Sequence, residues 1–296
     1  EDFAAEGDGV TDYATEMQAA IDAAPAYSTL RCTKGTYIIG ATLVGKDNLT
    51  IDLNGARIIA KAATNFEYMI SATGKTNFHL KNGVLDANQV NRVGTQSTRF
   101  MGGGVIDCTD CTFENIIAKN TLGFAGIPAV GLVIGGASVD CKFIACHAED
   151  MGTASLAADG FFMSGDNNVG IGLTAKNVFD TAFACESSNN SGYVGCSAKD
   201  ANCVAAITNA VDTDKRGNFL NGITGIDWNS TVTGGIQLGC PLSSSTGSLY
   251  DTTLSNINLT APTGGKGTGP GINIRQTGTP KAVRVNITGA IIQTCS

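Results

Sequence analysis

The carboxylates that could do chemistry gather in the middle of the chain. Asp159 precedes the run Gly160-Phe161-Phe162-Met163, Asp180 precedes Ala182-Phe183-Ala184-Cys185, and Glu186 closes that second run. Glu149 and Asp150 end the stretch just before them. From Gly160 to Ala182 is 182 − 160 = 22 residues. If the two runs are successive turns of one repeat, Asp159 and Asp180 fall within one position of each other on neighbouring rungs. Parallel strands stack about 4.8 Å apart. A retaining glycosidase wants its two carboxyl groups about 5–5.5 Å apart and an inverting one about 6.5–9.5 Å. Asp159, Asp180, Glu186 and Glu149 are therefore the candidate catalytic acids. The competing reading is that acids at strand ends cap turn amides.

A second chemistry is open to the same region. A lyase or epimerase needs a base near the uronate C5 proton and a cation on its carboxylate. His147, in Cys146-His147-Ala148-Glu149-Asp150, or Tyr193 supplies a candidate base, and Arg216 the cation. Trp228, the single Trp, and Tyr193 are candidate sugar-stacking platforms or else core plugs. His79 alternates with Phe78 and Leu80 and is expected to face outward as an ordinary surface residue.

Other chemistries are excluded by what is missing. Cys108-Thr109-Asp110-Cys111 has no second pair at zinc spacing, so no metal is expected. Gly102-Gly103-Gly104 lacks the following Lys of a phosphate loop, and no Gly-x-Ser-x-Gly elbow occurs, so no cofactor is expected either. Net charge is −7, from 19 Lys+Arg against 26 Asp+Glu, and no basic run interrupts it, which argues against nucleic acid. No stretch approaches the roughly 20 apolar residues of a membrane-spanning helix.

The elements that must hold these residues are strands. Of 296 residues 43% are hydrophobic, only 15% are charged and 38 are Gly, a composition that suits neither a disordered chain nor a helical bundle. A small residue followed by mostly apolar ones recurs at 104–107, 131–134, 160–163, 182–185, 204–207, 235–238 and 271–274. Alternating runs follow, centred on Leu49, Phe78, Phe113, Phe143, Leu173, Cys196, Ile223, Leu259 and Ile287. Short strands repeating every 22–36 residues, with polar turns and no intervening helices, fit an all-β parallel β-helix of about nine coils, whose repeats bury their apolar faces only by stacking. A β-sandwich is the alternative. Loops are expected near 87–103, 208–218 and 239–253. One helix is expected over 14–24, capped by Thr11 or Asp12 and stopped by Pro25, covering the open N-terminal end.

Ten Cys and the sequons at Asn48, Asn189, Asn229, Asn258 and Asn286 fit a secreted disulfide-bonded protein. Cys placed in alternating apolar runs equally fits a stack of buried thiols. The start at Glu1 without Met is read as loss of an upstream segment.

The opening block carries a resemblance. Phe3-Ala4-Ala5-Glu6-Gly7-Asp8-Gly9-Val10-Thr11-Asp12-Tyr13, then Met17 to Ala24, then Leu30 to Ile39 resembles the start of the pectate-lyase-like right-handed β-helix superfamily, most of all bacteriophage tailspike proteins. Tyr13 and Thr33 depart from the usual Asp and Pro. The resemblance covers residues 3–39, and later coils match in pattern only. It implies a right-handed solenoid over 1–296 as one domain, with 1–39 as capping segment and 40–296 as coils. It also implies a groove for polysaccharide, usually enzymatic, and a parallel homotrimer. Asp8 and Asp12 would be turn and cap residues. The function expected is depolymerisation of bacterial surface glycan, by a glycosidase before a lyase, on a virion tail. A non-catalytic receptor-binding virion protein and a secreted cell-wall polysaccharide enzyme are the alternatives.

Overall fold

The computed structural model describes residues 5–92, 97–211, 213–228, 235–240, 248–260, 270–276 and 283–293. Residues 241–247 of the loop expected near 239–253 and the sequon at Asn229 lie outside these residues, and Leu249–Ser255 is a strand.

The strands form one continuous parallel sheet wound into a right-handed solenoid. Each strand pairs with its counterpart one coil along, at offsets from 21 residues (Ser28 to Leu49) to 36 residues (Ile236 to Ile272). Three ladders run along it. One joins Met101–Ile106, Ala129–Gly135, Ala158–Met163, the end of Thr174–Glu186, the end of Ser197–Thr208, Ile236–Cys240 and Ile272–Gln276. A second stacks Ile51, Leu80, Phe113, Phe143, Gly170, Tyr193, Leu220, Leu254 and Ile287. The third runs through His147–Met151 and the starts of Thr174–Glu186 and Ser197–Thr208.

The corners explain the Gly and Asn content. Asn82, Asn115, Ala145, Gly172, Gly195, Gly222, Asn256 and Gly289 each follow the second ladder, and all have φ between 49° and 66°. This left-handed conformation costs an ordinary L-residue about 1–2 kcal/mol, and Gly and Asn tolerate it. A repeated corner therefore demands those two residues at one position per coil, and only Ala145 departs from them.

Inside, apolar side chains stack rung on rung. Phe113, Phe143, Phe161, Phe183 and Tyr193 form one aromatic file with ring centroids 5.5–5.9 Å apart. A polar file runs along another corner, where each side chain accepts the backbone N–H of the coil before it. The Cys111 N–H bonds the Cys141 thiol, Cys141 bonds the Asn168 amide oxygen, Asn168 the Ser191 hydroxyl, and Ser191 the Asn218 amide oxygen. These N–H groups would otherwise be buried without partners. Eight Cys are free thiols, all buried except the half-buried Cys32, and burial pushes several up, Cys146 and Cys185 to about 12.

The helix spans Ala14–Ala23, with Asp12 Oδ1 accepting the Ala14 N–H at 3.2 Å. Met17, Ala20 and Ile21 face inward, and Met17 and Ile21 join the core.

Candidate active site

The first ladder carries the acids. Its inward positions are filled by the Phe161–Phe183 pair and by Met163 and Cys185, all buried. Strand alternation sends Phe162, Ala184, Ala206 and Gln237 outward on successive rungs. Phe162 is half-buried, and the two Ala beyond it form a low floor bounded by Gln237. Asp159 and Asp180 stand on one side of this strip, before Phe162 and Ala184 along their strands. Glu186 stands on the other side, in register with Thr208.

Asp159 is only 9% exposed, and its Oδ1 accepts the Thr181 N–H at 2.9 Å. Burial first, then the neighbouring Asp180 charge, pushes the Asp159 carboxyl well above the usual range. The Thr181 N–H pulls the other way and Glu186 adds a further upward push. Asp180 and Glu186 are both raised by burial. Two neighbouring desolvated carboxyls resist ionising together, so the Asp159–Asp180 pair keeps a proton to higher pH than free carboxylates do. Acids with that property are suited to protonating a leaving group. Burial raises all three of Asp159, Asp180 and Glu186.

Glu149 does not join them. It lies on the third ladder, where Lys119 Nζ donates to its Oε1 at 2.9 Å and His147 Nε2 lies 3.4 Å from its Oε2. The Lys119 ammonium holds its carboxyl below the usual range, the opposite of what a general acid needs. His147 also meets the Thr174 hydroxyl at 2.6 Å through Nδ1, and so belongs to this ion-pair cluster.

Three further candidates are corrected. Tyr193 is completely buried, and its hydroxyl donates to the Ala184 carbonyl at 2.7 Å, so it is the end of the aromatic file and cannot stack a sugar. Trp228 is 2% exposed and is a core plug. Arg216 is exposed but sits in a separate surface cluster, 4.5 Å over the Tyr250 ring and 3.8 Å from Asp251. No base-and-cation constellation forms around His147, Tyr193 and Arg216. Phe162 went unnoticed in the sequence because two adjacent Phe in an apolar run look alike. Only the strand alternation separates the buried Phe161 from its outward neighbour. Among the described residues no cluster of His, Cys, Asp and Glu has the arrangement to hold a metal ion, and no helix is long and apolar enough to cross a membrane.

No protein-family profile and no curated protein sequence matches the chain. Solved structures do. An endo-xylogalacturonan hydrolase from Aspergillus tubingensis superposes with a TM-score of 0.68 at 14% identity, covering 98% of this chain and 91% of that one. The surface adhesin PfbA of Streptococcus pneumoniae gives 0.63 at 12% identity, over 93% and 81%. A tailspike protein of E. coli bacteriophage HK620, in complex with a pentasaccharide, gives 0.68 at 14% identity, over 97% of this chain but 54% of the tailspike. At such identities the likeness speaks for architecture alone, and it agrees with the parallel ladders and corner geometry. The chain has the pectate-lyase-like right-handed parallel β-helix fold.

Proposed function

We propose that this protein binds and depolymerises a polysaccharide as a glycoside hydrolase, with the chain lying across the outward face of the first ladder. The observation that carries the reading is the joint burial of Asp159, Asp180 and Glu186 beside one outward-facing strip, with the Asp159 carboxyl raised by burial and by its neighbour. In this reading Asp159 is the general acid that gives its proton to the glycosidic oxygen. Asp180 keeps that proton in place by its negative charge, and Glu186, across the strip, acts as a base on water. General acid catalysis of this kind supplies about 10²–10⁴-fold. Bacterial surface glycan is the substrate class, consistent with similar folds in a phage tailspike, a glycan hydrolase and a bacterial adhesin.

The same reading treats residues 1–296 as a single domain that acts outside the cell, on a virion tail or as a secreted enzyme. It assembles as a parallel homotrimer, so light scattering should give about three times 30.3 kDa, and a mass of one chain would overturn the assembly. The function is tested by a panel of bacterial surface glycans scored for both binding and release of oligosaccharides. Binding with release supports the reading. Binding without release would make the protein a receptor-binding β-helix, and no binding at all would remove the glycan from the account.

A further inference from the structure

We infer that Phe162 is the sugar-stacking platform of this strip and that the ring it holds is an uncharged sugar, not a uronate. The inference rests on the hydrolase reading above and names the substrate class of that site.

The geometry comes first. Phe162 lies between Phe161 and Met163, both fully buried, so its ring is turned to the outer face. The next two rungs at its position are Ala184 and Ala206, whose side chains reach no further than Cβ, and the rung after that is Gln237. From Phe162 to Gln237 is three rungs, about 14 Å at 4.8 Å each. The result is a trough with an aromatic wall, a flat floor and an amide at the far side. An aromatic face offers dispersion contact to the C–H face of a pyranose, and the amide has both a donor and an acceptor for its hydroxyls. The aromatic residues singled out in the sequence for stacking, Trp228 and Tyr193, are both in the core.

Charge sets the class of sugar. Asp159 and Asp180 flank one side of the trough and Glu186 the other. Ala158–Met163, the 178–186 part of Thr174–Glu186, the 201–208 part of Ser197–Thr208 and Ile236–Cys240 contain no Lys, Arg or His. In the register of Glu186 the first cation is Arg275, three rungs on through Thr208 and Gly239. A uronate in the trough would set its carboxylate beside Asp180 and Glu186, with no cation on the strand segments that form the trough, and like charges brought together in a partly desolvated site oppose binding. A neutral hexose or N-acetylhexosamine meets no such opposition.

The test uses oligosaccharides of uronate-containing bacterial glycans, each paired with its carboxyl-reduced form, and measures binding by calorimetry. Neutral oligosaccharides from the same panel serve as further ligands. The inference expects the carboxyl-reduced member of a pair to bind at least ten-fold more tightly. Phe162→Ala should weaken neutral ligands about ten-fold or more, and Ala206→Leu, which fills the floor, should do the same by a different route. Because Phe162 packs against the core and Ala206 is buried, each variant is scored only once circular dichroism and melting show its fold retained. Equal or tighter binding of the uronate form, or unchanged binding by folded Phe162→Ala, overturns the inference while leaving the hydrolase reading standing. Failure of every ligand to bind overturns that reading and this inference together.

Discussion

Replacing Asp159 by Asn separates the chemistry of the acid cluster from its structural cost. Asn keeps an oxygen to accept the Thr181 N–H, which bonds the wild-type carboxyl at 2.9 Å, and has nearly the same shape. It removes a group whose folded state favours the proton. The sign follows from linkage. A carboxyl raised in the folded state contributes stability that is fully present below its unfolded value, near 3.8, and is lost as pH rises through the folded value. The wild type should therefore lose stability relative to Asp159→Asn as pH climbs from about 4. Over the span between the two values the slope is at most about 1.4 kcal/mol per pH unit for one proton. For a chain of this size that is roughly 2 °C of melting temperature per unit. The assay is thermal melting by far-UV circular dichroism between pH 4 and 9, for both proteins at constant ionic strength. Activity on a cleaved glycan should fall about 10²–10⁴-fold in the variant, while its melting temperature at neutral pH equals or exceeds that of the wild type. A wild type that gains stability over the variant with rising pH would refute the claim that folding raises the Asp159 carboxyl.

Other outcomes follow from the same structure. Phe143→Ala empties a fully buried place between Phe113 and Phe161, so it should cost about 3–5 kcal/mol, read as a large fall in chemical-denaturation midpoint. Ala145→Gly relieves the one corner position that is neither Gly nor Asn, at φ 49°, and should raise stability by about 0.5–1 kcal/mol in the same assay. Thiol counting on the unfolded protein without reductant should find at least eight free thiols, and fewer would contradict the thiol file through Cys111 and Cys141.

Much of this architecture is legible in the chain because a solenoid writes its geometry once per coil. The repeats starting at Gly131, Gly160, Ala182, Val204, Gly235 and Gly271 fall in one register, each on the next. The start at Gly104 is displaced by two residues. Its true partner position is Gly102, and three consecutive Gly carry no alternation to mark the difference. The alternating runs slip for a similar reason: Leu173 and Cys196 are inward-facing, but they lie three residues beyond Gly170 and Tyr193, which share the file of Phe143. The acid cluster was legible because Asp159 and Asp180 are tied to a regular 22-residue coil. Glu149 looked equivalent because it is close in sequence, yet a corner separates its ladder from theirs. Burial of Tyr193 and Trp228 depends on which side of a short strand each occupies, and a strand of three residues, as at Gly192–Val194, gives too little alternation to decide it.

The most direct test of the central claim is the chemistry of the ends released from a cleaved glycan, compared between the wild type, Asp159→Asn and Glu186→Gln. Hydrolysis by the acid cluster expects ordinary reducing ends, no 4,5-unsaturated uronate absorbing in the ultraviolet, and loss of release in both variants with folding intact. Unsaturated ends from the wild type, or undiminished release by both folded variants, would contradict it.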